Sequence, residues 1–394
     1  DYLQLIQTYQ LTYIGHETAN GVPLVLETTS DTELMNNPRA SVQQVYGRIM
    51  EDLDEAITLL TGASARADKA EISVEVAYGL RARANLLMGK WAAAASDAAK
   101  AYGTSAPYSV ADVSQPTFYN ATDNAWIWGI VVTTEDYLAK TGIVNWPSNL
   151  CSLTGMGYTT AASATDVAYR LINKNLWAKI PETDVRKGWW VDEDLHSPVL
   201  DNGLGEDYAY YWANGMFNGG TFPSKFSPYT NVKFGPDNGT FADTDNAQDW
   251  PLMRVEEMKL IEAEALGRDN LATGKQKLEE FVRQYRDPSY TCTAGSLDAF
   301  IDEVWFQRRV ELWGEGFALF DILRLKKPII RQGANYPINS TFAEIAAEAP
   351  IMIYRIPEAE TSVNSAITEA DNNPAAMAPV SYTHLRAHET DSYL

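Results

Sequence analysis

Residues 308–316 read RRVELWGEG, and FDILR follows at residues 320–324. Glu311 and Glu315 are four residues apart, so on a helix they lie on one face, one turn apart. A glycosidase needs two carboxylates across a sugar, one of them with a raised pKa. The arginines of the same stretch should instead keep both carboxylates ionised. We therefore predict a structural ion-pair cluster and no catalytic residue.

The sequence predicts helices on both sides of this stretch. Ser41 and Gln44 have the spacing of a capping box, and an apolar stripe with steps of three and four residues continues to Leu60. Only Gly89 and Lys90 separate two further helices, which must therefore be antiparallel. Pro251 suits a first helical turn. The predicted helices cover residues 41–60, 71–88, 91–102, 166–180, 252–266 and 274–285, and another begins near residue 296.

The middle of the chain, residues 107–250, has a different composition. It is rich in Gly, Asn, Asp, Pro and aromatic residues, and the β-branched and aromatic run at residues 125–132 predicts a strand. Most of the remainder reads as long loops, which in a compact protein are usually functional or disordered. The aromatic content argues against disorder.

Four segments, which occur in the order typical of the family, and a C-terminal ending resemble the SusD/RagB family. The RRVELWGEG…FDILR stretch is the most specific of them. The others are GVPLV at 21–25 with the helix that follows, the helical hairpin from 74 to 102, LMRVEE at 252–257 with AEA at 263–265, and the ending YRIPE at 354–358 with NNP at 372–374. The resemblance spans Gly21 to Pro374. It implies one domain over 1–379, divided into N-terminal helical repeats (1–106), a loop-rich ligand-binding region (107–250), and C-terminal repeats with the family motif (251–379).

The chain departs from the family in three places. Ala318 stands where many members carry an arginine, and the lipid-attached cysteine expected near a mature N-terminus is not in this sequence. We therefore expect a chain shortened at its start. Residues 380–390, VSYTHLRAHET, resemble a translated transposase adapter from sequencing libraries. We expect residues 380–394 to be an artefact of that kind.

The resemblance implies a fold and a function. The fold would be mostly α, a tetratricopeptide-like helical superhelix with a loop-rich, aromatic ligand-binding face. The function would be to capture oligosaccharides or polysaccharides at the cell surface for nutrient uptake, without catalysis and without a cofactor. The implied partner is a SusC-like TonB-dependent transporter, and the implied location is the outer membrane of a member of the Bacteroidetes, reached through an N-terminal lipid anchor outside this chain.

Aromatic residues in the middle region are the candidate ligand-binding side chains. Sugars present C–H faces that lie flat on aromatic rings, while their hydroxyl groups need polar partners. If the backbone is extended there, only one ring of each adjacent pair can face a ligand. Trp212 is the first choice, because indole offers the largest face. The full set of candidates is Trp212, Tyr211, Tyr210, Tyr208, Asn214, Trp189, Trp190 and Tyr158.

Charge and cysteine usage restrict the other functions. The net charge of −21 disfavours binding to nucleic acid and to anionic lipid. Cys151 and Cys292 have no metal-site spacing, and whether they pair stays open. The acidic residues at 237–249 leave calcium binding as an open alternative. Because they lack the spacing of an EF-hand, we predict no metal site.

Two alternatives remain beside glycan capture. A helical-repeat scaffold would bind a protein or peptide in a contiguous apolar groove of the solenoid. A glycoside hydrolase would place a facing carboxylate pair beside the aromatic loops and release sugar.

Overall fold

The computed structural model describes residues 1–140, 150–153, 170–215, 225–241, 247–336 and 343–375. It confirms a mostly helical fold. The helices are α1 (Tyr2–Tyr9), α2 (Asp31–Leu34), α3 (Val42–Leu60), α4 (Val74–Leu87), α5 (Trp91–Tyr102), α6 (Val110–Val113), α7 (Tyr137–Lys140), α8 (Lys174–Trp177), α9 (Pro198–Leu204), α10 (Glu206–Ala213), α11 (Val255–Asp269), α12 (Leu271–Tyr285), α13 (Leu297–Glu311), α14 (Ala318–Arg324) and α15 (Glu358–Thr361).

The described strands form three antiparallel two-stranded ribbons. They are β1 (Asn20–Pro23) with β2 (Arg39–Ser41), β3 (Trp126–Ile130) with β4 (Trp250–Arg254), and β5 (Ile329–Ile330) with β6 (Glu344–Ile345). Short 3-10 turns occupy Val185–Trp189, Asp237–Gly239, Pro350–Met352 and Glu369–Asp371. No helix among the described residues is long and apolar enough to cross a membrane.

The chain forms two compact units. The first contains residues 1–52, 87–89 and the chain from 318 onward, and the second contains residues 53–86 and 90–317. The division of 1–379 into one domain with three segments stays a prediction.

The helix predicted from Ser41 begins as its capping box requires. The Gln44 N–H donates to Ser41 Oγ at 3.2 Å, and the Ser41 N–H donates to Gln44 Oε1 at 2.8 Å. Of the predicted stripe, Val42, Val45, Ile49 and Ile57 are buried. The helix ends at Leu60, before Gly62, whose φ of +80° lies in the left-handed region.

Helices α4 and α5 form the predicted antiparallel hairpin of the second unit. Asp97 on α5 joins them, because its carboxylate accepts from Arg81 Nε at 2.8 Å and from Asn85 Nδ2 at 2.9 Å. The alanines of α4 and α5 pack with residues of α11 in one apolar cluster. Gly267 and Gly274 allow α11 and α12 to approach closely, since an added Cβ on Gly274 would lie 2.3 Å from the Gly267 Cα. These helices form the apolar core that supports the rest of the unit.

The prediction of a helix over 252–266 with Pro251 in its first turn was wrong at its start. Residues 250–254 form β4, which pairs with β3, and α11 begins only at Val255. Each strand of a two-stranded ribbon has one outer edge without a partner strand. Pro251, which has no N–H to donate, is therefore tolerated in β4. The predicted strand at 125–132 is confirmed as Trp126–Ile130.

The predicted helix over 166–180 was also wrong in its described part. Between 170 and 180 only Lys174–Trp177 is helical. The residues before it are extended: the Ile172 N–H donates to the Tyr229 carbonyl at 3.2 Å, and the Asn231 N–H donates to the Arg170 carbonyl at 3.0 Å. Long-range pairing of the backbone therefore replaces the helix. Residues 166–169 lie outside the described residues.

The family-like ending is tied to the start of the first unit. The Ile356 N–H donates to Asn372 Oδ1 at 2.8 Å, and Asn372 Nδ2 donates back to the Ile356 carbonyl at 3.1 Å. Asn373 Nδ2 donates to the Tyr9 carbonyl at 2.7 Å, at the end of α1. The two asparagines thus satisfy buried backbone groups, which explains why amide side chains occupy these positions.

Candidate functional site

Three of the tryptophans predicted to bind ligand are in the core of the second unit. Trp189 and Trp212 are 0% exposed and Trp190 is 1% exposed. Trp189 Nε1 donates to the Val113 carbonyl at 3.0 Å, and Trp212 Nε1 donates to the Ser152 carbonyl at 3.2 Å. A ring enclosed on both faces offers no stacking surface, so this conformation does not support Trp212 as the first-choice ring.

Residues 208–213 lie on helix α10 and Asn214 follows at its C-cap, so the backbone of this segment is helical and not extended. On α10, positions 209, 212 and 213 share the buried face, as a spacing of three and four requires. Tyr208, Tyr210 and Tyr211 are 44%, 58% and 49% exposed. Asn214 Nδ2 donates to the Tyr210 carbonyl at 2.9 Å and so caps the helix end. Tyr158 lies outside the described residues. Ligand binding by this group stays a prediction.

Glu311, from the RRVELWGEG stretch at residues 308–316, is at the centre of a buried ionic cluster. Arg286 donates to both of its carboxylate oxygens, from Nε at 2.8 Å and from Nη2 at 2.9 Å. Arg186 and Arg254 approach it at 3.3 and 3.4 Å, and all four side chains are 0% exposed. These three arginines come from distant parts of the chain. The sequence alone had instead indicated pairing of Glu311 with the arginines of its own stretch, Arg308 and Arg309.

Lys233 and Glu315 complete this cluster. Lys233 Nζ donates to Glu315 Oε1 at 2.7 Å and to the carbonyls of Glu311 and Trp313 at 2.8 and 2.9 Å. The same ammonium lies 4.9 Å from the centre of the Trp189 ring, a cation–π contact. Trp189 is therefore part of the support for this cluster.

The charges within the cluster favour the ionised form of both carboxylates. Burial alone would raise the pKa of Glu311, but the charges of Arg286, Arg254 and Arg186 outweigh it and hold the pKa well below its usual range. The pKa of Glu315 is lowered in the same way by Arg254 and Lys233. Burial lowers the pKa of Lys233 to about 8, against the opposing effect of Glu315. A general acid needs a raised pKa, so neither carboxylate is suited to that role.

Two open cavities in the second unit have Trp177 in their walls. The first has a volume of about 470 Å³ and the second about 460 Å³, and both are lined by Trp177 and Asp192. The first is also lined by Trp190, Lys187, His196 and Asn202, and the second by Lys174, Asn175, Glu193, Asp194 and Tyr229. We call the two cavities together the Trp177 groove.

The Trp177 ring is half-buried and held from several sides. Trp177 is the last residue of the short helix α8. Asn173 caps the start of this helix, because its Oδ1 accepts from the Asn175 N–H at 2.9 Å. Trp177 Nε1 donates to the Lys187 carbonyl at 3.2 Å, and Lys187 Nζ lies 4.5 Å from the ring centre. Tyr229 packs edge-on, with ring centres 5.4 Å apart. A fixed, partly open indole beside polar groups has the composition of a ligand site.

The backbone around the groove is strained at two bulky residues. Leu195 has a φ of +67° and Tyr229 a φ of +71°. Both values lie in the left-handed region, which is costly for large side chains, and such strain concentrates at functional sites. Backbone bonds hold Tyr229 there: its N–H donates to the Val191 carbonyl at 3.1 Å, and its own carbonyl accepts from the Ile172 N–H.

Sequence reasoning missed Trp177 because it placed that residue within a long helix. The available signal was a tryptophan next to Asn173 and Asn175, in the aromatic middle region, just before Pro181. The run Asp192–Asp194 carried no signal of its own, since such a run is usually a solvated surface.

Asp249, one of the acidic residues considered for metal binding, has a structural role. Asp249 accepts from the N–H groups of Ala121 and Val132, both at 2.8 Å. Asp243 and Asp245 lie outside the described residues. Within the described ranges, no group of three or more His, Cys, Asp or Glu side chains is placed to hold a metal ion. Cys151 and Cys292 are both buried, and the Cys151 thiol donates to the Phe234 carbonyl at 3.2 Å.

Comparison with known proteins gives the fold a family. The sequence model of the SusD family matches residues 160–377. A search of the curated proteins gave no match. Two solved structures with this fold are a SusD-like carbohydrate binding protein from Bacteroides vulgatus (TM-score 0.72, 22% identity) and a SusD superfamily protein from Bacteroides thetaiotaomicron (TM-score 0.70, 21% identity). Each alignment covers 95% of this chain and 75% of the other.

A laminarin binding SusD-like protein has the same fold, with a TM-score of 0.56 and 20% identity over 95% of this chain and 76% of that one. At these identities the structures establish the fold, and the sequence model establishes the family, because it matches more than half of the chain. The chain belongs to the SusD/RagB family.

Proposed function

We propose that this protein binds oligosaccharide in the Trp177 groove and does not cleave it. The observation that carries the proposal is a half-buried indole, held by a hydrogen bond, that lines two open cavities whose walls carry amide, carboxylate and ammonium groups. Lys187 Nζ lies over the ring, so a sugar would contact the part of the indole that stays open to the cavities. The cavities share Trp177, so a ligand crossing the ring would occupy both with successive sugar units.

Family relationships support the same function. The fold neighbours include proteins described as carbohydrate binding and laminarin binding. Trp190 adds a further feature, since it lines the first cavity and its Nε1 has no hydrogen-bond partner among the described residues. An acceptor supplied by a ligand would relieve the cost of such a donor.

The decisive variant is Trp177→Ala. Loss of a central aromatic ring typically costs about 2 kcal/mol or more of binding free energy, which is more than tenfold in affinity. We expect that loss in a calorimetric titration with the best ligand from a glycan array. Trp91→Ala is the matched control: Trp91 is also half-buried, and it stacks on Arg268 outside the groove. Equal affinities for the two variants would contradict the proposed site.

Catalysis is tested on the same glycan. We expect no new reducing ends after prolonged incubation, because the carboxylates of the ionic cluster are buried and ionised. Sugar release that disappears when Glu193 is replaced by Gln would instead favour a glycoside hydrolase built on the groove.

Delivery to a SusC-like TonB-dependent transporter at the outer membrane completes the proposal, and family membership is what supports it. Co-purification of the full-length protein with such a transporter from outer membranes is the test. Its failure under conditions that preserve a related transporter complex would restrict the function to glycan capture.

A further inference from the structure

Three consecutive carboxylates line the second cavity beside Trp177. Asp192 Oδ1 accepts from the N–H groups of Asp194 and His196, both at 2.9 Å, and Glu193 Oε1 accepts from the Tyr229 hydroxyl at 2.7 Å. Glu193 and Asp194 are exposed, while Asp192 lies on the boundary of both cavities. Their negative charge is thus fixed on the wall that a ligand at Trp177 would meet.

The cations of the groove do not offset this charge. Lys187 is paired with Glu182, and its Nζ also donates to the Ile180 carbonyl at 3.0 Å. Arg286, at the base of the first cavity, is paired with Glu256 and Glu311. Lys174 is the one cation among the residues that line the second cavity, where it stands against three carboxylates. The described wall of that cavity therefore carries a net negative charge.

These charges act differently on neutral and anionic sugars. A hydroxyl group can donate to a carboxylate, and hydrogen bonds to an ionised acceptor are stronger than those between neutral groups. A uronate or sulfate on the ligand would face like charge in a partly enclosed cavity, where solvent screens less than in bulk water. Like-charge contacts of this kind suppress the wrong partner.

We propose that the Trp177 groove selects uncharged oligosaccharides and rejects uronate- or sulfate-bearing ones, with Glu193 and Asp194 as the specificity-determining residues. This inference rests on the proposed function of the groove.

The test compares one glycan backbone with and without charge. The probes are neutral glucan oligosaccharides of several linkages, laminarin fragments among them, and the same fragments oxidised at C6 to uronates. We expect the parent protein to bind a neutral fragment and to bind its oxidised form more than about tenfold more weakly. The double variant Glu193→Gln/Asp194→Asn should recover much of that loss, since both replacements keep shape and polarity. Raising the salt concentration should also narrow the difference in the parent.

A matched control removes the same charge elsewhere. Glu51→Gln/Glu55→Gln changes two exposed carboxylates on α3 and should leave the discrimination unchanged. Equal binding of the neutral and oxidised fragments by the parent would overturn the inference while leaving the proposed function intact. Recovery by the control variant would overturn it as well, because net charge would then be responsible. No binding of any fragment would overturn the proposed function, and the inference with it.

Discussion

The ionic cluster around Glu311 and the Trp177 groove are built from the same residue types. Both bring tryptophan, lysine and carboxylate side chains together in the second unit. In the cluster, Glu311 and the arginines around it are 0% exposed and joined by ion pairs. In the groove, Trp177 is half-buried, and Glu193 and Asp194 are exposed. Residue type therefore does not distinguish the structural cluster from the proposed binding site, whereas solvent exposure and ion pairing do.

Removing the centre of the cluster should have the largest effect. We expect Glu311→Ala to lower the free energy of unfolding by about 3–5 kcal/mol, because it leaves buried arginines without their partner. Urea denaturation measures the loss, and the isosteric Glu311→Gln serves if the alanine variant does not fold. Glycan affinity per folded molecule should be unchanged. Normal stability with abolished glycan binding would contradict the structural role of the cluster and would make Glu311 part of the binding site.

A variant of Trp212 tests whether this buried tryptophan stabilises the core or binds ligand. We expect Trp212→Ala to lower the free energy of unfolding by about 3 kcal/mol or more, because a buried indole is replaced by a cavity. Thermal and urea denaturation measure this, and a binding titration on the folded variant should match the parent. An unchanged melting temperature with weakened binding would restore Trp212 as a ligand-binding ring.

The carboxylates of the cluster should also make the fold sensitive to acid. The pKa values of Glu311 and Glu315 are lowered in the folded state, so the stability they contribute is present above their usual value of 4.5 and is lost as pH falls below it. Each contributes up to about 1.4 kcal/mol per pH unit within that window. Urea denaturation across this range is the measurement. The variant Glu315→Gln should show a shallower dependence, and an identical slope would contradict the assignment.

Tyr210 should show the smallest effect of these variants. It is 58% exposed and lines neither cavity, so Tyr210→Ala should change the free energy of unfolding by no more than about 0.5 kcal/mol. Glycan affinity should stay within the error of the titration. A large loss of affinity would move the site from the Trp177 groove to the exposed tyrosines of α10.

Local sequence determined the elements whose bonds are local. The capping box of Ser41 and Gln44, the hairpin across Gly89 and the cap at Ser296, whose Oγ accepts from the Ala299 N–H, all follow from neighbours within a few residues. The hairpin is the clearest case, since only three residues, 88–90, separate the end of α4 from the start of α5 at Trp91. The family and the mostly helical fold were predictable for the same reason, because the segments that carry the resemblance are continuous in sequence.

The tertiary structure alone decided which charged and aromatic side chains meet. Glu311 pairs with Arg186, Arg254 and Arg286, which lie 125, 57 and 25 residues away in sequence, so no local spacing could identify them. The strand at Pro251 and the extended segment before α8 likewise depend on backbone partners far along the chain. Burial is a property of the packed chain, because long-range packing overrides the local preference of any single residue. It placed Trp189, Trp190 and Trp212 in the core and left Trp177 in the walls of two cavities.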